Sequence, residues 1–587
     1  MIEPEMNLRG RCGQPLPIQG IAAAMVVAIT LAALYWNKLF TYSIGGDDYS
    51  LIESSRSFDL YGWLFSGFSK YFYVFEGSSP YTNFIRPVVN IVFWLNNQLF
   101  PEKPGLYFLS TILFISIYCY LLICLSGFRL LGIVFISLFC LASPSIARDP
   151  FWSPPFAFDV LAAAFILGAI YASLRNKLYI SVCLLLLASF TKEIGLVACI
   201  SFAIHSGIKA VSSAEPVRRD KHFGWAIFYL APAAIYAIIR YIGVGIGGTY
   251  TTNNMGLYTL MLRVIELPFQ FPLGLANPSS VYRQLINSGN FKFIIAISAP
   301  LLINLLVFIG SCWMVLSYIK KYHKAGFYTR SNDHSIAENN ILIIYILFLA
   351  TLYLSLAGAD GRFYPLPQGC LLILLFRTAT NEVLNKYLFR VSVTFLLAIY
   401  SFLFVNNAKS ALAFKPSNVD TILASVVQKA KAAKASKILL VNAPDIYSSP
   451  RYVSKYYRFN GDLDFLFNSK GSCGSYPKLT LLNSTKDSEF SYVIKPLASN
   501  ALLMPSGACY PAIVFNGYTI QKPGAKRDAK NGSHFMVSGN EFRYSQAKVG
   551  DKEEIESIKI IRQYDAIYVA NYETGEVELL VPVDGAN

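Results

Sequence analysis

Up to about residue 407 the chain alternates long apolar runs with short polar breaks. Gly105 to Phe128 contains no charged residue at all. Crossing the hydrocarbon core of a bilayer takes roughly 20 such residues in a helix. The pattern predicts eleven spanning helices, near residues 18–40, 105–126, 129–144, 155–174, 178–191, 194–212, 223–243, 291–318, 341–358, 366–378 and 388–407. The first run is long enough to span and lacks a small-residue cleavage site, so it is expected to be a retained helix and not a removed signal peptide. Beyond residue 408 the periodicity changes. A helical stretch over Val419 to Ser436 is followed by β-type runs at Lys437–Asn442, Lys478–Leu482, Ser491–Lys495, Ala512–Phe515 and Asp565–Val569. The Glu573-Thr-Gly575 turn predicts a hairpin from the last of these to Glu576–Leu580. No repeat of 20–50 residues is visible. The expected architecture is an α-helical polytopic membrane region over 1–407, with a first outer loop over about 41–104, and a soluble α/β or mainly β domain over 408–587.

Composition agrees with lipid as the solvent. Of 587 residues, 54% are hydrophobic and only 14% charged, against about 25% charged in ordinary soluble domains. The net charge of +15 would suit nucleic acid, but in a membrane protein it is better read as basic cytoplasmic loops. The ten cysteines form no metal pattern. Most lie inside apolar runs as small fillers, and only Cys473 and Cys509 fall in the polar C-terminal region, where they could pair outside the cell.

Loop charge sets an orientation. With Arg9 and Arg11 inside, each later inside segment is basic: Arg129; Arg175 and Lys177; Arg218, Arg219 and Lys221; Lys320, Lys321, Lys324 and Arg330; Arg377, Lys386 and Arg390. Eleven spans then leave 408–587 outside.

Polar residues near the outer surface follow from that topology. The first outer loop opens with Gly45-Gly46-Asp47-Asp48-Tyr49, an adjacent carboxylate pair that can act as a base, hold a divalent metal, or simply cap a turn. It closes with Arg86-Pro87, a cation that suits phosphate but also suits plain snorkelling. Asp159, Lys192-Glu193, Arg240 and Asp360-Gly-Arg362-Phe-Tyr364-Pro365 fall at the outer ends of later spans. Each alone reads as a cap, an ion pair or a charge reaching for water. Together, Arg86, Lys192, Arg240 and Arg362 place four cations and the acidic pair at one bilayer surface, which suits a lipid-linked phosphate.

These segments carry a resemblance. Gly46-Asp47-Asp48-Tyr49, Arg86-Pro87-Val88, Pro104 to Leu109, Phe151-Trp152 through Asp159-Val-Leu161, Ala188 to Glu193, Ile239-Arg240-Tyr241 and Gly361 to Pro365 together resemble the motifs of the GT-C superfamily of membrane glycosyltransferases. Relatives include protein O-mannosyltransferases and lipid A aminoarabinose transferases. The match covers about residues 18–378; it departs from the family in lacking an Arg before Asp159 and in its C-terminal region, which is no tetratricopeptide array. The resemblance implies transfer of a sugar, with inversion, from a polyprenyl-phosphate donor to an acceptor hydroxyl on a glycan, lipid or protein. Asp47 or Asp48 would be the base, Arg86, Lys192, Arg240 and Arg362 would bind the phosphate, and Asp159, Glu193 and Tyr364 would support them. No cofactor is required, although Asp47 and Asp48 could take Mg²⁺ or Mn²⁺. The expected setting is a bacterial inner membrane, with the site facing the periplasm. The rival readings are a transporter or flippase of lipid-linked sugars and a non-catalytic scaffold.

Overall fold

The computed structural model describes residues 18–42, 52, 86–101, 103–127, 130–213, 215–244, 302–313, 315–316, 334–356, 364–380, 386–414, 419–444, 454, 456–468, 478–482, 489–495, 511–515, 518–520, 533–538, 541–546, 554–559, 565–570 and 576–581. Asp47, Asp48, Arg362, Cys473 and Cys509 lie outside the described residues.

The described chain is mostly helical. Its helices are α1 (Ile18–Leu34), α2 (Trp36–Thr41), α3 (Pro87–Leu99), α4 (Phe108–Ser126), α5 (Leu130–Ala142), α6 (Phe158–Leu174), α7 (Leu178–Thr191), α8 (Ile194–Ser212) and α9 (Pro216–Val244). There follow α10 (Leu302–Trp313), then α11 (His334–Leu356), α12 (Pro365–Thr380), α13 (Lys386–Leu412) and α14 (Val419–Ala432). Among the described residues, five segments are long and apolar enough to cross a membrane: Pro104–Ser126, Pro154–Leu174, Ile194–Ser212, Pro216–Tyr241 and Val393–Leu412. A sixth is reached if α5 and Pro144–Phe151, bent by 61°, form one broken span. The other predicted runs contain shorter apolar helices.

Local chemistry explains the boundaries. Short 3₁₀ turns opening with Pro104 and Pro154 lead into α4 and α6, where proline's missing N–H costs nothing because the first helical donors lack intrahelical partners anyway. Gly127 stops α4 in the left-handed region, at φ 100°, a conformation a Cβ would oppose. The run predicted as one helix over 18–40 breaks at Tyr35. Its hydroxyl donates to the Ala147 carbonyl, and its ring stacks on Phe151 at 3.8 Å between centroids.

α6 is the central element, with 78% of its apolar window buried. Ala162, Ala163, Ala164, Gly168 and Ala169 keep it slim, which lets α4, α7 and α12 pack closely, since dispersion contacts and not water exclusion hold helices together in lipid. By contrast, only 17% of the apolar windows in α9 and α13 is buried. Ile227, Phe228, Ile238 and Phe402 stand exposed. Apolar helices with apolar outer faces are what lipid solvation produces and water opposes, which supports an integral membrane protein.

A buried polar knot fixes the bend after α5. Gln368 Oε1 accepts from Ser145 Oγ at 2.7 Å and Ser143 Oγ at 3.2 Å. Asn407 donates to the Ala142 carbonyl at 2.9 Å, occupying an acceptor that the break leaves exposed.

After α14 the chain forms two sheets. One has the order β11-β10-β1-β2-β5-β6, from β1 (Lys437–Pro444), β2 (Asp462–Asn468), β5 (Pro511–Phe515), β6 (Tyr518–Ile520), β10 (Ala566–Ala570) and β11 (Val577–Val581). β1 runs parallel to both β10 and β2, while β10 and β11 pair antiparallel. The other sheet is antiparallel, order β3-β4-β7-β8-β9, from β3 (Lys478–Leu482), β4 (Glu489–Lys495), β7 (Ser533–Ser538), β8 (Glu541–Gln546) and β9 (Glu554–Lys559). Asp565 Oδ2 accepts from Ser436 N at 2.7 Å and Lys437 N at 2.9 Å, which ties the start of β10 to the start of β1.

Candidate functional site

The polar residues at the α6, α7 and α8 ends are positioned by three local devices. α3 begins with Pro87, which keeps Arg86 out of the helical conformation, at φ −134° and ψ 66°, just ahead of the first turn. α3 is seated by Phe93, whose ring meets Tyr107 at 6.0 Å and Phe158 at 5.9 Å. Asp159 lies in the first turn of α6, one residue past that Phe158. Lys192 and Glu193 form the turn between α7 and α8. Lys192 is extended, and its N–H donates back to the Ala188 carbonyl at 2.9 Å. The turn closes because residue 195 is glycine. A Cβ there would lie 2.3 Å from Ser189 N and 2.5 Å from Ala188 C, both backbone atoms.

These devices bring together residues from distant segments. Arg86 Nη2 donates to both Glu193 oxygens, at 2.9 and 3.2 Å. Lys192 Nζ lies 3.1 Å from Asp159 Oδ2. The four side chains are only 8–18% exposed. Lys192 and Glu193 are therefore no water-exposed loop pair: each is turned inward to a different partner. Burial raises the Glu193 carboxyl, but Arg86 and then Lys192 outweigh it and hold the group below its usual range.

On α9, the buried Tyr236 hydroxyl lies within electrostatic reach of Glu193, Arg240 and Arg86. Tyr236 thus has Arg240 on its own helix and the Arg86–Glu193 pair within its surroundings. Tyr236 is a candidate-site residue that lies outside the sequence motifs. The signal was its spacing of four from Arg240, which puts both on one helical face. Tyr364 is fully buried in the main apolar cluster, directly ahead of α12.

Among the described residues, Arg86, Lys192 and Arg240 stand with Asp159 and Glu193, and the Arg86–Glu193 and Lys192–Asp159 pairs are largely screened from water. The three cations suit an anion, and the two pairs hold their groups at fixed separations. Among the described residues no three His, Cys, Asp or Glu side chains gather as a metal site. No protein-family model matches the chain, and no curated protein matches it.

Proposed function

We propose that this chain is a membrane-integral glycosyltransferase of the GT-C kind, using a polyprenyl-phosphate sugar donor. The observation that supports it best is the convergence of Arg86, Asp159, Lys192, Glu193, Tyr236 and Arg240 at one end of the helical bundle. In this reading all eleven apolar runs cross the membrane, the basic loops face the cytoplasm, and the cluster faces the outside of a bacterial inner membrane. Residues 408–587 then form an extracytoplasmic domain.

The donor phosphate sits against Arg86, Arg240 and Arg362, with Lys192 adjoining. Asp47 or Asp48 takes the proton of an acceptor hydroxyl on a glycan, lipid or protein. The oxygen attacks the anomeric carbon from the face opposite the phosphate. The carbon–oxygen bond to phosphate breaks, and polyprenyl phosphate leaves with the electron pair. General-base catalysis of this kind contributes about 10²–10⁴-fold. Asp159 and Glu193 keep Lys192 and Arg86 in place, so the phosphate enters without a large rearrangement.

The test is genetic and chemical. Deleting the gene is expected to remove one sugar mass from a cell-surface glycan, glycolipid or protein, and the wild-type gene restores it. Asp47→Asn or Asp48→Asn is expected to insert normally and restore nothing. Full restoration by both single variants overturns the base assignment, and an unchanged glycan profile on deletion overturns the transferase.

One observation favours a second reading. The 61° break after α5, with Gln368, Ser143 and Ser145 buried beside it, is the kind of interrupted helix that transporters use. Flipping of a lipid-linked sugar in vesicles without acceptor would favour that reading.

A further inference from the structure

α6 carries a second charged end. Asp159 opens it, and Arg175 directly follows it, so the two lie about 24 Å apart along one helix at 1.5 Å per residue. A cavity of about 490 Å³ runs along most of α6, between α4, α6 and α7, lined by Leu121, Leu161, Phe165, Gly168 and Leu184 and ending at Tyr171, Arg175 and Lys177. The Arg175 guanidinium lies 4.6 Å from the centroid of the Tyr171 ring. No acidic side chain lines the cavity among the described residues.

We propose that this groove is a binding site for one anionic phospholipid, with its phosphate on Arg175 and Lys177 and one acyl chain between α4, α6 and α7. Charge fixes the head: two cations meet at the end of an otherwise apolar channel, and basic pockets between membrane helices are suited to phosphate-bearing headgroups. Length fixes the tail: from Leu161 to Arg175 the channel runs about 21 Å, more than the roughly 15 Å depth of one leaflet's hydrocarbon. The aromatic face holds Arg175 at the mouth, so little side-chain freedom is lost on binding. At mid-depth Gly168 lines the channel, and a Cβ there would lie 3.2 Å from Leu184 Cδ1. The site is independent of the carboxylate–cation cluster and does not require sugar transfer.

The full-length protein in detergent is titrated with phosphatidylglycerol or phosphatidylcholine, and retained lipid is counted by native mass spectrometry. One phosphatidylglycerol per chain is expected, preferred by roughly thirtyfold for two cations near the surface. Arg175→Ala with Lys177→Ala is expected to abolish the preference. Lys177→Gln alone, at an exposed position, is expected to cut it several-fold even if the double variant does not fold. Six-carbon phosphatidylglycerol and free glycerol phosphate separate the tail from the head, and both are expected to bind far more weakly. Equal binding of free glycerol phosphate, no headgroup preference, or an equal loss in Arg218→Ala with Arg219→Ala overturns the proposal.

Discussion

A single nitrogen of Arg86 donates to both carboxylate oxygens of Glu193, across 107 residues of sequence. The pair is mostly buried, so each member depends on the other to offset lost hydration. Removing one partner of such a pair costs about 3–5 kcal/mol, because the charge left behind is stranded. Glu193→Gln is therefore expected to lower the thermal midpoint markedly, and Arg86→Met with Glu193→Gln to recover part of the loss. Thermal unfolding of the three proteins in one detergent checks it. An additive double variant would show that the pair contributes nothing as a pair.

The same contact carries a pH signature. Because Arg86 and Lys192 hold the Glu193 carboxyl below its ordinary value, its contribution is fully present above the unfolded carboxylate pKa of about 4.3. It is lost as pH falls through the depressed folded value. The stability gap between wild type and Glu193→Gln should stay flat from neutral pH down to about pH 5 and narrow below about 4.3. Denaturation series across that range measure it. A gap that narrows near neutral pH would contradict the sign.

Two glycines on α8 should respond oppositely to alanine. At Gly195 the added carbon meets the α7 backbone, which cannot swing aside, so the α7–α8 turn must open. The expected loss is about 1–3 kcal/mol or more, together with a weakened Lys192–Asp159 contact. At Gly207 nothing lies within 4 Å of the new carbon. There Ala should stabilise by about 0.5–1 kcal/mol, because it restricts the unfolded chain. Parallel thermal melts of the two variants decide it.

Gln368 is the shared acceptor of Ser143 and Ser145. Gln368→Leu is expected to cost about 1–3 kcal/mol, because the Ser143 and Ser145 hydroxyls, 3.0 Å apart, lose their shared acceptor and only one can donate to the other. Adding Ser145→Ala should return part of that loss. A double-variant cycle on thermal stability reads the coupling directly.

How much of this was legible in the sequence differs by kind of feature. Apolar helices were legible because one solvent demands one pattern over twenty residues, as in the uncharged run from Gly105 to Phe128. The break at Tyr35 was not, because it depends on Phe151 and Ala147, more than a hundred residues away. Sequence order did bring the charged residues of the candidate site into view. It could not say that Lys192 turns to Asp159 while its neighbour Glu193 turns to Arg86, since that choice is made by the seating of α3 on Phe158. Gln368, Ser143 and Ser145 went unnoticed for a related reason: uncharged polar residues barely interrupt an apolar run.

The opposite turning of Lys192 and Glu193 also bears on how the protein enters its membrane. If α7 and α8 insert as a hairpin, both charges ride at its tip and cross the hydrocarbon together, with no net charge to carry. Their final partners travel separately, Asp159 on the preceding helix and Arg86 ahead of α3. In the proposed topology the tip would be self-neutralised on its way across, and it would trade that arrangement for two separate pairs once the helices assemble, so that a completed cluster would mark finished assembly.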